Sequence, residues 1–299
     1  MPSSRILLTG ASGPIGRALR ATFESNGSEL LRLVRGPSSG PGEISWNPQA
    51  ALASESVSGF DAVIHLAGET IVGRWTAAKK ARILESRAVG TRHLAEALAQ
   101  TSRRPRVFIS ASAIGYYGNR GDEVLREDSP SGKDFLSEVC RQWEAAAQPA
   151  AHAGIRTVNL RIGVMLSAAG GALPKMLLPF RMGAGGRIGD GRQWWSWITL
   201  DDLVGAVHHI INTDLLQGPV NAVAPRPVTN AEFTRILGQV LHRPTIFPMP
   251  AFAARLAFGQ MADELLLASQ RVEPSKLVAS GYPFQHSELK PALQSVLKK

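Results

Sequence analysis

Three glycines carry the first chemistry in this chain. Gly10, Gly13 and Gly16 lie in Gly10-Ala11-Ser12-Gly13-Pro14-Ile15-Gly16, after the run from Arg5 to Leu8 and before a helical pattern through Leu19 and Phe23. A short buried strand, a glycine turn and a helix are the context that a dinucleotide-binding loop needs. The first glycine permits a tight turn, the second lets backbone approach a pyrophosphate, and the third lets the helix pack close to the strand. The helix start adds free N–H groups and a partial positive charge. A glycine-rich strand-to-helix turn without a ligand is spelled the same way; the clean strand before this one favours a cofactor. A second apolar run, Glu29 to Gly36, contains Arg35 near its end. NAD-binding units place Asp or Glu there for the ribose 2′-OH. A guanidinium suits a 2′-phosphate, through bidentate charge-assisted bonds. The spacing favours NADP(H) over NAD, against the plainer reading of a solvated arginine.

The elements that must position these groups follow in order. Residues 37 to 59 are rich in Pro, Gly and Ser and read as irregular connection. Asp61 to Glu69 reads as a buried parallel strand ending in small residues, with His65 mid-strand as a structural histidine. A long helix is expected from about Thr76 to Gln100, then a buried strand, Arg106 to Ser112, that ends in hydroxyls. A helix from about Asp134 to Ala151 leads to a strand from Arg156 to Val164. This alternation predicts an α/β protein with a doubly wound parallel sheet. Glycines then break up residues 165 to 192, and Trp194, Trp195 and Trp197 cluster beyond them. A strand and helix over Ile198 to Ile211, a strand at Pro219 to Val223 and a mostly helical end from 227 complete the chain. The expected division is a Rossmann domain over 1–162, to which 197–223 return, and a smaller, mostly helical capping subdomain over 163–196 and 224–299.

Bulk composition narrows the partners. The 299 residues are 44% hydrophobic and 19% charged, as in a globular protein. The single cysteine, Cys140, excludes an intramolecular disulfide and fits a reducing compartment. No apolar run approaches the roughly 20 residues of a membrane span. Met1 to Ser4 lead straight into the first strand, which leaves no room for a signal peptide, so a cytoplasmic protein is expected. The net charge of +9 is concentrated between Arg74 and Arg106. These cations scatter around a helix without interleaved aromatics, which argues against nucleic acid. They read as a field for phosphorylated ligands or as a solvated face. No residue pattern reads as a metal site.

Several late motifs carry a family likeness. The glycine loop, Asp61 to Gly68, Ser110 to Gly118 and Ile198 to Leu203 resemble the extended short-chain dehydrogenase/reductase superfamily. Gly115-Tyr116-Tyr117-Gly118, Arg192 to Ile198 and Met261 to Leu267 look like its atypical, YfcH-like "epimerase family protein" group, which has its own C-terminal helical domain. The resemblance implies cofactor contacts from Gly10, Ser12, Gly13, Pro14, Ile15 and Gly16, with Arg35 on the 2′-phosphate. It places Leu66, Ala67 and Gly68 along the adenosine ribose with Glu69 beyond. It adds Arg87, where the larger family keeps an asparagine, and Gly163 and Val164 at the end of the strand that begins at Arg156.

The same resemblance exposes two departures. The superfamily uses a serine with a Tyr and Lys four residues apart on one helix; the lysine lowers the phenol's pKa and holds the ribose. Ser112 fits the serine. Leu136 and Cys140 stand where Tyr and Lys belong, so both catalytic side chains are missing. Tyr116 or Tyr117 is then either a replacement acid or a pocket wall, and Cys140 either a buried thiol or one beside the cofactor. Trp195 replaces the arginine that clamps pyrophosphate in nucleotide-sugar epimerases. With Arg192 and Trp197 it is read as pocket wall, or as subdomain core. The expected function is an NADP(H)-dependent oxidoreductase on a small carbonyl or hydroxyl compound. The rivals are a non-catalytic NADPH-binding regulator and, third, a sugar-nucleotide epimerase; a homodimer is possible.

Overall fold

The computed structural model describes residues 4–38 and 40–298. The leaderless start read from Met1 to Ser3 falls outside them. The chain runs β1 (Arg5–Thr9), α1 (Pro14–Ser25), β2 (Glu29–Arg35), β3 (Glu43–Trp46), β4 (Ala62–His65), α2 (Ala77–Gln100), β5 (Val107–Ala113), α3 (Phe135–Ala146) and β6 (Arg156–Ile162). After α4 (Leu173–Arg181) and α5 (Leu200–Asn212) it returns as β7 (Gly218–Ala222). The seven strands form one parallel sheet in the order β7-β6-β5-β4-β1-β2-β3. Apolar residues on both faces drive this. Ile6, Leu8, Ile64 and Ile109 pack toward Leu19 and Phe23 of α1 and Leu203 and Val207 of α5, while Leu7, Val63 and Phe108 face Leu94 and Leu98 of α2. The chain winds outward from β1 to β3, then outward from β4 the other way. Ligands of open α/β sheets bind at such a reversal, beyond the carboxyl ends of the strands.

Three expectations needed correction. Residues 37–59 contain β3, an edge strand anchored by the Arg32–Glu43 ion pair (3.1 Å) and by buried Trp46. The helix expected from Asp134 to Ala151 ends at Ala146, and a separate turn, Gln148–His152, follows. Pro149 has no N–H to continue the ladder. The sixth strand stops at Ile162, because the Gly163 N–H turns to the Ala222 carbonyl (3.1 Å) and the Val164 N–H to that of Ser196 (2.8 Å). Val164–Leu166 then pairs with Trp197–Thr199.

The remaining elements form the cap: α4, α6 (Asn230–Leu241), α7 (Ala251–Phe258), a π-helical turn at Ala262–Leu266 and α8 (Leu289–Lys298). Leu173, Leu177, Phe233, Leu237 and Leu293 give α4, α6 and α8 a core of their own, whereas α7 and the π-helical turn pack with α2 and α3 through Phe258 and Leu265. Asp202, fully buried at the start of α5, ties the two parts together. Its carboxylate accepts the Gln285 and His286 backbone N–H groups at 2.7 and 3.0 Å.

Candidate functional site

The glycine loop lies at the reversal, between β1 and β4. Each glycine has a different reason to be there. Gly10 has φ +70°, and a methyl on it would stand 2.8 Å from the Leu66 carbonyl group. A methyl on Gly16 would meet the Gly10 oxygen at 2.3 Å. The protein itself demands both. A methyl on Gly13 would meet only the Gly10 oxygen, at an unstrained 3.4 Å. Nothing in the protein needs Gly13, and close approach of a ligand explains it. Gly13 also caps α1 without a side-chain acceptor, and Pro14 follows it, so the Ile15 and Gly16 N–H groups are left for an outside acceptor. Ser12 is exposed beside them. The loop around Gly170 lies against the helix start, where an added methyl would come within 2.5 Å of Pro14 Cγ. The residues present therefore fit a pyrophosphate.

To one side, at the tip of β2, Arg35 is exposed and makes no hydrogen bond or ion pair among the described residues. Its charge acts on Glu69, which bonds Lys79 at 2.7 Å. The Lys79 hydrogen bond, opposed by slight burial and then reinforced by the charges of Lys79, Arg82 and Arg35, holds the Glu69 carboxyl below its ordinary value. The edge of the crevice is thus strongly basic, with one guanidinium uncommitted.

The turn after β4 is held from below. Thr9 Oγ1 accepts the Leu66 and Ala67 N–H groups at 3.1 and 3.2 Å. Its single proton must go to His65 Nδ1, 2.7 Å away. His65 Nε2 then carries the ring proton and donates to Thr91 Oγ1 at 2.9 Å. Total burial pushes His65 down from 6.5 to about 3. It is a neutral structural brace, as the sequence suggested. A folded-state pKa below the unfolded one gives stability that is full above pH 6.5 and is lost as pH falls toward 3. Each unit in that window costs up to about 1.4 kcal/mol. His65→Gln is expected to be less stable at pH 7 and to lose less between pH 6.5 and 4; urea midpoints at stepped pH measure this.

To the other side, beyond β5, a buried charge network replaces the missing catalytic pair. Arg161 on β6 forks onto Glu144 of α3 at 2.8 and 2.9 Å. The Ser112 hydroxyl donates to the same carboxylate at 2.7 Å. Arg161 Nη1 donates to the Tyr117 hydroxyl at 2.9 Å, and that hydroxyl donates to Asn221 Oδ1 at 2.7 Å. The Tyr116 ring lies 3.5 Å from the guanidinium carbon. Burial works to lower the Arg161 pKa, but the bonds to Glu144 and its charge outweigh it and hold the group above its ordinary range. Tyr117 is fully buried, and burial pushes it up to about 12 in spite of Arg161 and Asn221. Both sides of its hydroxyl are occupied, so Tyr117 is corrected from candidate acid to part of the scaffold. Tyr116 is half-buried, with its ring on the Arg161 guanidinium. Cys140 is buried, its thiol 3.7 Å from the Ala113 carbonyl, and burial and then Glu144 push it up to about 12.

Other expected residues fall as follows. Leu66 and Ala67 are half-buried and Gly68 exposed along the crevice. Gly163 and Val164 have spent their N–H groups within the protein, and a methyl on Gly163 would meet the Ser196 oxygen at 2.7 Å, so packing explains that glycine. The pocket wall expected from Trp195 and Trp197 is a correction. Both are buried, Trp195 against Phe233 with ring centres 5.2 Å apart, and Trp197 donating to the Arg226 carbonyl at 3.1 Å. Arg192 is exposed. The open tryptophan is Trp194, which with Arg271, Glu232, Ile236 and Lys290 lines a cap cavity of about 570 Å³. Glu144, Arg161 and Asn221 are absent from the expected site. Their signal was a lone arginine in the apolar strand Val158 to Ile162.

A glycine loop at the reversal of a doubly wound parallel sheet with flanking helices defines a Rossmann-type α/β protein. Residues 6–222 match the NAD dependent epimerase/dehydratase family, and residues 249–296 match DUF1731, a domain of unknown function. The chain belongs to the NAD dependent epimerase/dehydratase family. It is 41% identical over 295 residues to "Epimerase family protein Mb2239" of Mycobacterium bovis, covering 98% of this chain and 97% of that one. The crystal structure of human epimerase family protein SDR39U1 (isoform2) with NADPH superposes with a TM-score of 0.90 at 35% identity, over 98% of this chain and 99% of that one. A nucleoside-diphosphate sugar epimerase from Corynebacterium glutamicum gives 0.83 at 40% identity, over 99% of this chain and 58% of that one.

Proposed function

We propose that this protein binds NADP(H) across the crevice and acts as an oxidoreductase on a small carbonyl or hydroxyl compound. Gly13 carries the reading: it is the one glycine of the loop whose missing side chain only a ligand explains. The human relative solved with NADPH supports the cofactor. Ile15 and Gly16 N–H groups would take the pyrophosphate, and Arg35 the 2′-phosphate. Bound NADP(H) supplies a hydride donor or acceptor at nicotinamide C4. The Ser112 proton is committed to Glu144, so Ser112 offers lone pairs and accepts a hydrogen bond from a substrate hydroxyl. Tyr116 bounds the same space.

Calorimetric titration tests the cofactor. NADPH is expected to bind about ten- to a hundredfold more tightly than NADH, the worth of a charge-assisted contact. Arg35→Ser is expected to erase that preference. Equal affinities in the wild type would remove the NADP(H) assignment.

A second reading rests on a different observation. Ile246, Phe247, Phe252 and Leu256 on the cap are 59–80% exposed. Such a face suits a protein partner, a second copy of this chain included, and an NADPH-binding regulator. Sedimentation with and without NADPH separates the two: a monomer in both states speaks for the enzyme. The epimerase reading is weaker, because the clamp position is held by buried Trp195, which offers no charge to a sugar-nucleotide pyrophosphate.

A further inference from the structure

Among the described residues, two arginines lie on tryptophan rings. Arg87, one of the expected cofactor contacts, lies 4.9 Å from the centre of the Trp143 ring and donates to the Glu69 carbonyl at 3.0 Å. Arg271 lies 4.6 Å from the centre of the Trp194 ring, in the cap, and has no task in the cofactor crevice. Trp194 is half-buried, whereas the other five tryptophans are buried. Its ring N–H donates to Asp122 Oδ1 at 2.8 Å. That bond fixes the ring, and the ring in turn fixes the guanidinium. Arg271 is half-buried, and its guanidinium makes no hydrogen bond or ion pair among the described residues. Its N–H groups are left to the cap cavity of about 570 Å³, a volume in the range of small-molecule sites. No residue lining that cavity belongs to the glycine loop, to β2 or to the Ser112 network.

The charges around the cavity say what fits it. Arg226, Arg271, Lys290, Glu232, Glu273 and Glu288 line it. Glu288 is paired with Arg226, and Glu273 with Arg126 at 3.0 Å. Glu232 lies in the first turn of α6, where its charge complements the helix start. Arg271 and Lys290 have no such explanation. Lys290 stands in the first turn of α8, where the helix dipole disfavours a cation, and it makes no ion pair among the described residues. Pro225, Pro227, Val228 and Ile236 make the rest of the wall largely apolar. We propose that the cap holds a ligand site separate from the cofactor crevice, for a small organic acid with an apolar body. Arg271 would fork the carboxylate through two parallel N–H bonds, with Lys290 as the second cation. The guanidinium is already held by Trp194, so binding costs it little freedom. The apolar wall takes the body of the acid, and a bare inorganic anion would leave that wall wet. The site stands apart from the NADP(H) reading and needs no cofactor.

Calorimetry with three probes tests it: 2-naphthoate, the uncharged 2-naphthalenemethanol and inorganic phosphate. The wild type is expected to bind 2-naphthoate with a Kd below about 1 mM, and the alcohol and phosphate at least about tenfold more weakly. Arg271→Met is expected to weaken 2-naphthoate about ten- to a hundredfold and to leave the alcohol unchanged. Lys290→Met, which removes an exposed charge, is expected to cost about two- to fivefold. Arg271→Lys keeps the charge but loses the fork, and is expected to cost about three- to tenfold. Urea unfolding checks that each variant folds; should Arg271→Met not fold, Arg271→Lys carries the result. Three outcomes overturn the assignment. One is a wild type that takes up no 2-naphthoate at millimolar concentration. Another is the alcohol or phosphate binding as well as the acid. The last is a 2-naphthoate affinity that neither change at Arg271 moves, which would place the acid elsewhere on the protein.

Discussion

Arg161→Met is expected to cost about 3–5 kcal/mol of folding stability. The reason is what it strands. Arg161 and Glu144 are 3% and 12% exposed, and the guanidinium supplies two bonds to the carboxylate and one to the Tyr117 hydroxyl. Without it, Glu144 keeps only the Ser112 hydroxyl. A buried carboxylate left without its cation is the source of the cost. Adding Glu144→Gln removes the stranded charge and is expected to return at least half of the loss, because neutralised pairs are often tolerated. Urea unfolding of the three proteins measures both effects. A deficit of under about 1 kcal/mol in the single variant would show that the network is not what organises the β5–β6 end.

The consequence for chemistry is that the scaffold of the missing Tyr/Lys pair has been rebuilt. A tyrosine and lysine on α3 would face Ser112 directly. Here α3 presents Leu136, Cys140, Trp143 and Glu144; Glu144 takes the Ser112 proton and the Cys140 thiol lies beside the same serine. Ser112 is 3% exposed and its proton is held by Glu144, so under the function proposed above its hydroxyl would serve a ligand as an acceptor. A substrate bearing a hydroxyl fits that polarity better than one bearing a bare carbonyl.

The parts of this that were legible in the sequence share a physical cause. β1, β4 and β5 are covered on both faces, so they appear as uninterrupted apolar runs, and the glycine turn between β1 and α1 is constrained by backbone contacts that only glycine meets. β3 was hidden because an edge strand of four residues needs few apolar positions; only Ile44 and Trp46 point to it, inside a Pro/Gly/Ser-rich stretch. The tryptophans were misassigned for a period-two reason. Trp195 and Trp197 share a side of the chain and go into the cap core, and Trp194, one step out of phase, faces the cavity. Tyr116 and Tyr117 differ in the same way across one turn. The Arg161–Glu144 pair joins a strand to a helix, and no local pattern announces such a partner. Asp202, by contrast, appeared only as a favourable charge at a helix start, whereas its carboxylate also pins the tail of the cap.

The two later glycines of the loop should part company when each is given a methyl. In Gly16→Ala the new carbon falls 2.3 Å from the Gly10 oxygen and 2.7 Å from the Ala11 Cα. Both are backbone atoms, so no side chain can move aside; α1 must tilt away from β1, at a cost of about 1–3 kcal/mol or more. NADPH affinity is lost with it, because the Ile15 and Gly16 N–H groups are displaced. Gly13→Ala has φ −72° and an unstrained 3.4 Å contact, so its folding stability is expected to stay within about 0.5 kcal/mol of wild type. Its NADPH affinity is nevertheless expected to fall by about tenfold to a hundredfold, because the methyl stands where the phosphates would approach the loop. Urea unfolding and calorimetry on both variants read the two quantities separately. Stability lost in one and affinity lost in both is the expected pattern. A Gly13→Ala protein that is stable and still binds NADPH like wild type would mean that no pyrophosphate lies against this loop, and the crevice would need another ligand.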